Sequence, residues 1–222
     1  MRLHGVAHCA EIHGLALKTR RSTKRRLAPE VRRQALLDVA ARLVLDQGFL
    51  PLSVESLALG GGVSKALVYA YFPTQPDLYN ALAARSLAEL VAGGLEAALA
   101  QDDLEAAVTA GGDLYFRHVA EHGPLLHIIL RDRFMVRQVA PEVARVRDRL
   151  IAPLARRVRE RFALASRESV AAVSMGLTLP EECGRLVRQG DLELDRGADL
   201  CGHLVLGALE GLARSAGQLS VE

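Results

Sequence analysis

Residues 53–77 hold three helix-start signals and two stops, a spacing that leaves room only for short helices joined by tight turns. Ser53 suits an N-cap, because its hydroxyl can accept from a backbone N–H of the first turn, with Glu55 inside that turn. Val54, Leu57 and Ala58 follow as the inward positions of a short helix. Gly60-Gly61-Gly62 is expected to stop it, since glycine loses the most backbone freedom when made helical. Ser64 caps another short helix reaching about Tyr71, and Pro73 ends it. Thr74 with Asp77 then makes a capping box for a longer helix through Leu78, Leu82 and Leu87.

Upstream, Pro29 and Glu30 suit a first helical turn. Leu36, Val39, Ala40, Leu43 and Val44 make one apolar stripe, and Gly48 is the expected C-cap. Residues 29–72 therefore read as three short helices, the last two joined by a glycine-containing turn, which is the layout of a helix-turn-helix.

The rest of the chain is helical in pattern. Aromatic residues are 4% with no Trp, too few for a typical sheet protein, whereas Ala, Leu, Arg and Glu abound. Candidate helices span 102–121, 124–137, 141–163, 166–189 and 196–217, with Pro153 and Pro180 expected to kink or split theirs. The expected architecture is all-α, with a basic, disordered arm over 1–27, a helix-turn-helix domain over 28–73 and a helical domain over 74–222, to which the resemblance given below assigns ligand binding and dimerisation.

Charge is uneven. The chain carries +2 overall, yet residues 18–33 hold eight basic side chains against Glu30 alone, so the remainder is net acidic. A basic stretch at one end of an acidic chain points to a polyanion partner, or else to a solvated arm. Cys9, Cys183 and Cys201 are too few and too scattered for a disulfide framework, which favours a reducing cytoplasm. No apolar run is long enough to cross a membrane, and His4, His8, Glu11 and His13 interrupt any signal-peptide core in the first 17 residues.

Residues 32–79 resemble the TetR family. The resemblance rests on Ala40, Leu43 and Gly48-Phe49; on Val54, Leu57, Ala58 and Gly62-Val63-Ser64; and on Tyr69, Tyr71, Phe72 and Leu78. It implies a homodimeric transcriptional regulator, a repressor in the working expectation. Such a protein reads a palindromic double-stranded DNA operator and is released by a small-molecule effector. It also implies that Tyr69 and Tyr71 approach the DNA. Independently, Val63, Val68 and Phe72 suit a small three-helix core, and Ser53 and Ser64 put free N–H groups at positive helix ends. Lys65, Ala66, Leu67 and Ala70 would face the major groove.

Departures from the family pattern shape the expected readout. Many members carry Gly, Thr and a basic or His residue where this chain has Ala66, Leu67 and Ala70, Lys where it has Gln75, and Thr where it has Leu52. Few side chains here can hydrogen-bond to base edges, so direct readout is expected to be modest, with Leu67 and Ala70 meeting thymine methyls. Lys24, Arg25 and Arg26 would supply phosphate affinity or enter the minor groove. Removing residues 1–26 should weaken binding and flatten its salt dependence.

In 196–217, Leu200, Leu204, Gly207, Ala208, Gly211, Leu212 and Ser215 share a face that suits either a dimer contact or a monomer core, as do Val170, Val173, Leu177, Leu186 and Val187 before it. The need for two half-sites favours the dimer. An effector pocket, implied by the family, would be lined by Leu90, Leu114, Phe116, His118, Leu126, Ile129, Phe134 and Met135, although packing the core is the alternative for each. His118 and His122 lie four apart, as in some zinc sites, with Glu121 the only carboxylate at hand; no metal and no cofactor are expected. The glycine run lacks a P-loop pattern, and Glu181-Glu182-Cys183 has no assignable His partner. An enzyme is therefore not expected. The remaining alternative is a nonspecific DNA-binding or adaptor protein without a small-molecule ligand.

Overall fold

The computed structural model describes residues 28–219, with side chains to Arg214. Lys24, Arg25, Arg26, Cys9 and the rest of the expected arm lie outside the described residues. Eleven helices make up the described chain, and no strand occurs among the described residues. They are α1 (Pro29–Gln47), α2 (Val54–Gly61), α3 (Lys65–Tyr71), α4 (Gln75–Ala92), α5 (Leu95–Leu99), α6 (Leu104–His122), α7 (Leu125–Arg131), α8 (Pro141–Phe162), α9 (Ser166–Gly176), α10 (Thr178–Gln189) and α11 (Leu194–Leu219). None of them is long and apolar enough to cross a membrane.

The local signals act where the sequence places them. Pro29 opens α1, and Gly48 closes it in the left-handed region with its N–H on the Val44 carbonyl. Thr74 and Asp77 form both halves of a capping box at the head of α4. The largest core runs without a break from Leu36 and Val44 of α1, through Val68, Phe72 and Leu82, to Ile129 of α7 and Leu150 of α8.

Three expectations change. Helix α2 does not stop at Gly60 but runs through Gly61. A β-carbon at Gly60 would stand 2.7 Å from Val39 Cγ1, so glycine lets α2 lie against α1. The stretch 124–137 is helical only to Arg131, because the Asp132 carboxylate accepts from the N–H groups of Phe134 and of distant Leu50, which ends the helix there. The stretch 166–189 divides as expected, at Leu177, where Pro180 has no N–H for the Gly176 carbonyl. Pro153, in contrast, sits on the solvent face of an uninterrupted α8, where water can serve the carbonyl it frees.

Candidate functional site

Helix α3 lies on the surface at the end of α2. Gly62, with φ of 60°, takes the left-handed turn that other residues rarely adopt, and Val63 N–H closes the corner on the Ala58 carbonyl. Ser53 Oγ accepts from Ser56 N–H at 3.3 Å, and Ser64 Oγ accepts from Leu67 N–H at 3.2 Å. Val68 and Phe72 are buried beneath the helix, and Arg33 lies over the Phe72 ring at 5.3 Å. Ser53, Ser64, Lys65, Ala66 and Ala70 are exposed, as is Tyr69 at 48%.

Two residues expected outward are only half-exposed. Leu67 is partly covered, and Tyr71 is partly buried against the core. The Lys65 ammonium donates to Glu55 across the α2–α3 corner. That hydrogen bond, foremost, holds the exposed Glu55 carboxyl down to about 2.

The segment that leads into α2 is tied to α4 by a closed ring of hydrogen bonds. Leu52 N–H donates to Tyr79 Oη at 2.7 Å, Tyr79 O–H donates to Gln75 Oε1 at 2.9 Å, and Gln75 Nε2 donates back to the Leu52 carbonyl at 3.1 Å. Gln75, the departure from the family pattern, is thus an internal tie. A second tie comes from Asp132, whose Oδ2 accepts from Leu50 N–H at 3.1 Å. Neither tie has a sequence signal beyond the four-residue spacing of Gln75 and Tyr79.

Behind this head the helical body holds a cavity of about 450 Å³, partly open to solvent, between α4, α5, α6, α7, α8, α9, α10 and α11. Its walls are apolar, with Leu87, Leu150, Val173, Val205 and Leu209 among them. Its polar end is compact. Buried Glu181 accepts from Tyr115 O–H at 2.7 Å and lies 2.5 Å from His127 Nδ1, so a carboxylate there requires the proton on that nitrogen. Burial, reinforced by the neighbouring Glu181 charge, pushes the Tyr115 phenol well above its ordinary range. Arg131, also on the wall, donates to the Ser174 carbonyl at 3.0 Å.

Of the expected pocket residues, Leu90 and Leu126 line this cavity. The other six do not. Phe116 is fully buried in a separate cluster with Cys183, Cys201 and Val205. Ile129 and Met135 are fully buried in the main core, and Leu114 packs against it. Phe134 sets its ring edge against Tyr79 at 6.0 Å. His118 turns away toward His122, and burial, then the second imidazole, lowers its pKa to about 4. The physical reason is general: apolar residues fill a core and line a cavity equally well, so type and helical period do not separate the two roles. The polar end was missed because Glu181 and its partners are 54 and 66 residues apart in sequence.

On α11, buried Gly197, Cys201, Val205 and Leu209 face inward, whereas Leu200, Leu204, Gly207 and Ala208 are exposed. The expected single stripe is therefore divided, with Leu212 packed inward against the Phe162 cluster. Of the stripe before it, Val173 is buried and Val170 is 50% exposed.

A short capped helix beyond a glycine corner, set on a helical body with a cavity, defines a helix-turn-helix protein. The profile described as "Bacterial regulatory proteins, tetR family" matches residues 36–82, so this segment carries the N-terminal domain of that family. It is 27% identical over 119 residues to the HTH-type transcriptional activator FasR of Mycolicibacterium smegmatis, a match covering 53% of this chain and 54% of that one. It is 33% identical over 112 residues to the HTH-type transcriptional regulator BetI of Rhizobium meliloti, covering 50% and 46%. The matched stretch thus spans about half the length of these curated relatives. The fold is shared with a TetR-like transcriptional regulator from Rhodococcus sp. RHA1, with a TM-score of 0.62 at 24% identity over 84% of this chain and 100% of that one. It is shared also with the regulator FadR from Bacillus subtilis in complex with stearoyl-CoA, with a TM-score of 0.57 at 15% identity over 81% and 96%.

Proposed function

We propose that the chain is a homodimeric transcriptional repressor that grips a palindromic operator and lets go when a small molecule fills the body cavity. The observation that carries this reading is the outward face of α3, where Lys65, Ala66, Tyr69 and Ala70 stand clear of the core beside the capped end at Ser64. Free N–H groups at Ser53 and Ser64 suit phosphates, Tyr69 Oη suits a phosphate oxygen, and Ala70 suits a thymine methyl. Leu67 and Tyr71 complete the set at the edge, and Lys24, Arg25 and Arg26 would add phosphate contacts.

One α3 offers too few contacts for tight, specific binding, so a two-fold pair of heads is required. The exposed apolar strip of Leu200, Leu204, Gly207 and Ala208 on α11 supports pairing through that helix. The cavity suits an effector with a largely apolar body and one end that hydrogen-bonds to Glu181, Tyr115 or His127. A fold neighbour that holds stearoyl-CoA agrees with an apolar occupant.

Selection of bound duplexes from a random pool at near-physiological salt tests the reading. A palindromic consensus is the expected result. Binding without enrichment would leave only nonspecific association, and no binding would remove the DNA-reading role.

A further inference from the structure

We propose that Glu89, His118 and His122 form a binding site for a divalent transition metal of the zinc class, joining α4 to α6. His118 and His122 stand one turn apart on α6, with ring centroids 4.8 Å apart. Glu89 reaches them from α4, and one donor atom from each of the three side chains lies within 4.8 Å of the others. The set is therefore assembled from two helices. Glu89 stands 29 and 33 positions before the histidines, too far for spacing to announce it.

The chemistry of the donors selects the ion. Two imidazole nitrogens and one carboxylate are a frequent zinc set, whereas calcium and magnesium prefer oxygen alone. Tetrahedral coordination with metal–ligand bonds of roughly 2.0–2.2 Å sets donor atoms about 3.3–3.6 Å apart, so the three side chains close by roughly 1 Å on binding. Glu89 is exposed, so its side chain is free to rotate toward the imidazoles as they close on the ion. Neither imidazole makes a hydrogen bond among the described residues, so a nitrogen on each ring is uncommitted.

The neighbouring charges are consistent with an exchange. Arg85 Nε lies 3.8 Å from Glu89, but the same side chain donates to Asp38 at 2.6 Å, so it keeps a carboxylate partner when Glu89 turns to the metal. Glu121 lies 3.7 Å from His122 Nε2 and could serve as a fourth donor or orient that ring, with water as the other choice. Neither histidine lines the body cavity, so this site is distinct from the effector site proposed above. Because α4 also carries the ties to the reading head, a metal here would fasten the connecting helix to the body.

The test uses the full chain, free of any tag and stripped with chelator, titrated with Co2+. The wild type should show saturable binding with the visible absorption of low-coordinate cobalt and a rise in thermal midpoint. The variants E89Q and H122A, both at the exposed end, should each weaken binding by at least about tenfold and lose the rise in midpoint. H118A should do the same; if it folds poorly, the other two suffice. The N-terminal His4, His8, Cys9 and His13 remain present in every sample, so metal held by them survives all three changes. Unchanged Co2+ affinity in E89Q and H122A, or no saturable binding by the wild type, overturns the proposal.

Discussion

Tyr79 is fully buried, yet its hydroxyl both accepts from Leu52 N–H and donates to Gln75. Tyr79→Phe keeps the ring and strands a buried amide, whose desolvation costs about 1–3 kcal/mol. Urea unfolding should show a loss of that size, with an unchanged slope. Cys201 offers a second residue-level check. Burial foremost, then Cys183 beside it, pushes its thiol up to about 12 from an ordinary 9. A raised folded-state value means that the contribution to stability is fully present below pH 9 and fades as pH climbs through 12. Cys201→Ala should flatten the alkaline limb of a stability–pH curve, and iodoacetamide at pH 8 should leave Cys183 and Cys201 unmodified until the chain unfolds. These residues were silent in the sequence. Scattered cysteines and one tyrosine among many apolar neighbours say nothing of their partners until the helices are packed.

At the level of elements, α10 crosses α6 closely. A β-carbon at Gly184 would meet the Phe116 carbonyl oxygen and Val119 Cβ at 2.8 Å each, and backbone cannot step aside as a flexible side chain can. Gly184→Ala should therefore destabilise the body by about 1–3 kcal/mol, read as a lower thermal midpoint with the helical circular dichroism of the folded state retained. Helix boundaries set by local chemistry were legible in advance: the caps at Ser53, Ser64 and Thr74 and the turns at Gly48 and Gly62 all act within a few residues of themselves. Boundaries set from afar were not. The end of α7 depends on an amide 82 positions away, and α2 continues through Gly60 because α1 approaches it. The cavity lies in the same category. Its existence follows from how eight helices leave space between them, and none of their individual patterns encodes that space.

For the whole molecule, the exposed strip on α11 is the feature that most needs a partner. Leu204 is 43% exposed and Leu200 38%, while Gly207 next along has no neighbouring atom where a β-carbon would sit. The double change Leu200→Glu with Leu204→Glu should convert a dimer to a monomer in sedimentation velocity, by placing like charges across a two-fold contact. Helicity should persist, since neither side chain belongs to the buried face of α11. Operator binding should fall with the dimer, whereas a chain that reads DNA as a monomer would keep its affinity.

Arg131 and Asp132 are consecutive, yet one guanidinium borders the cavity and the neighbouring carboxylate holds the amide of Leu50. Adjacent α-carbons are held about 3.8 Å apart, so there is no slack between them to absorb a push. A guest that moved the α7 backbone at Arg131 would carry Asp132 with it, and a hydrogen bond already at 3.1 Å tolerates little stretching. Guests of dissimilar outline would then deliver the same stroke, provided each shifts the end of α7.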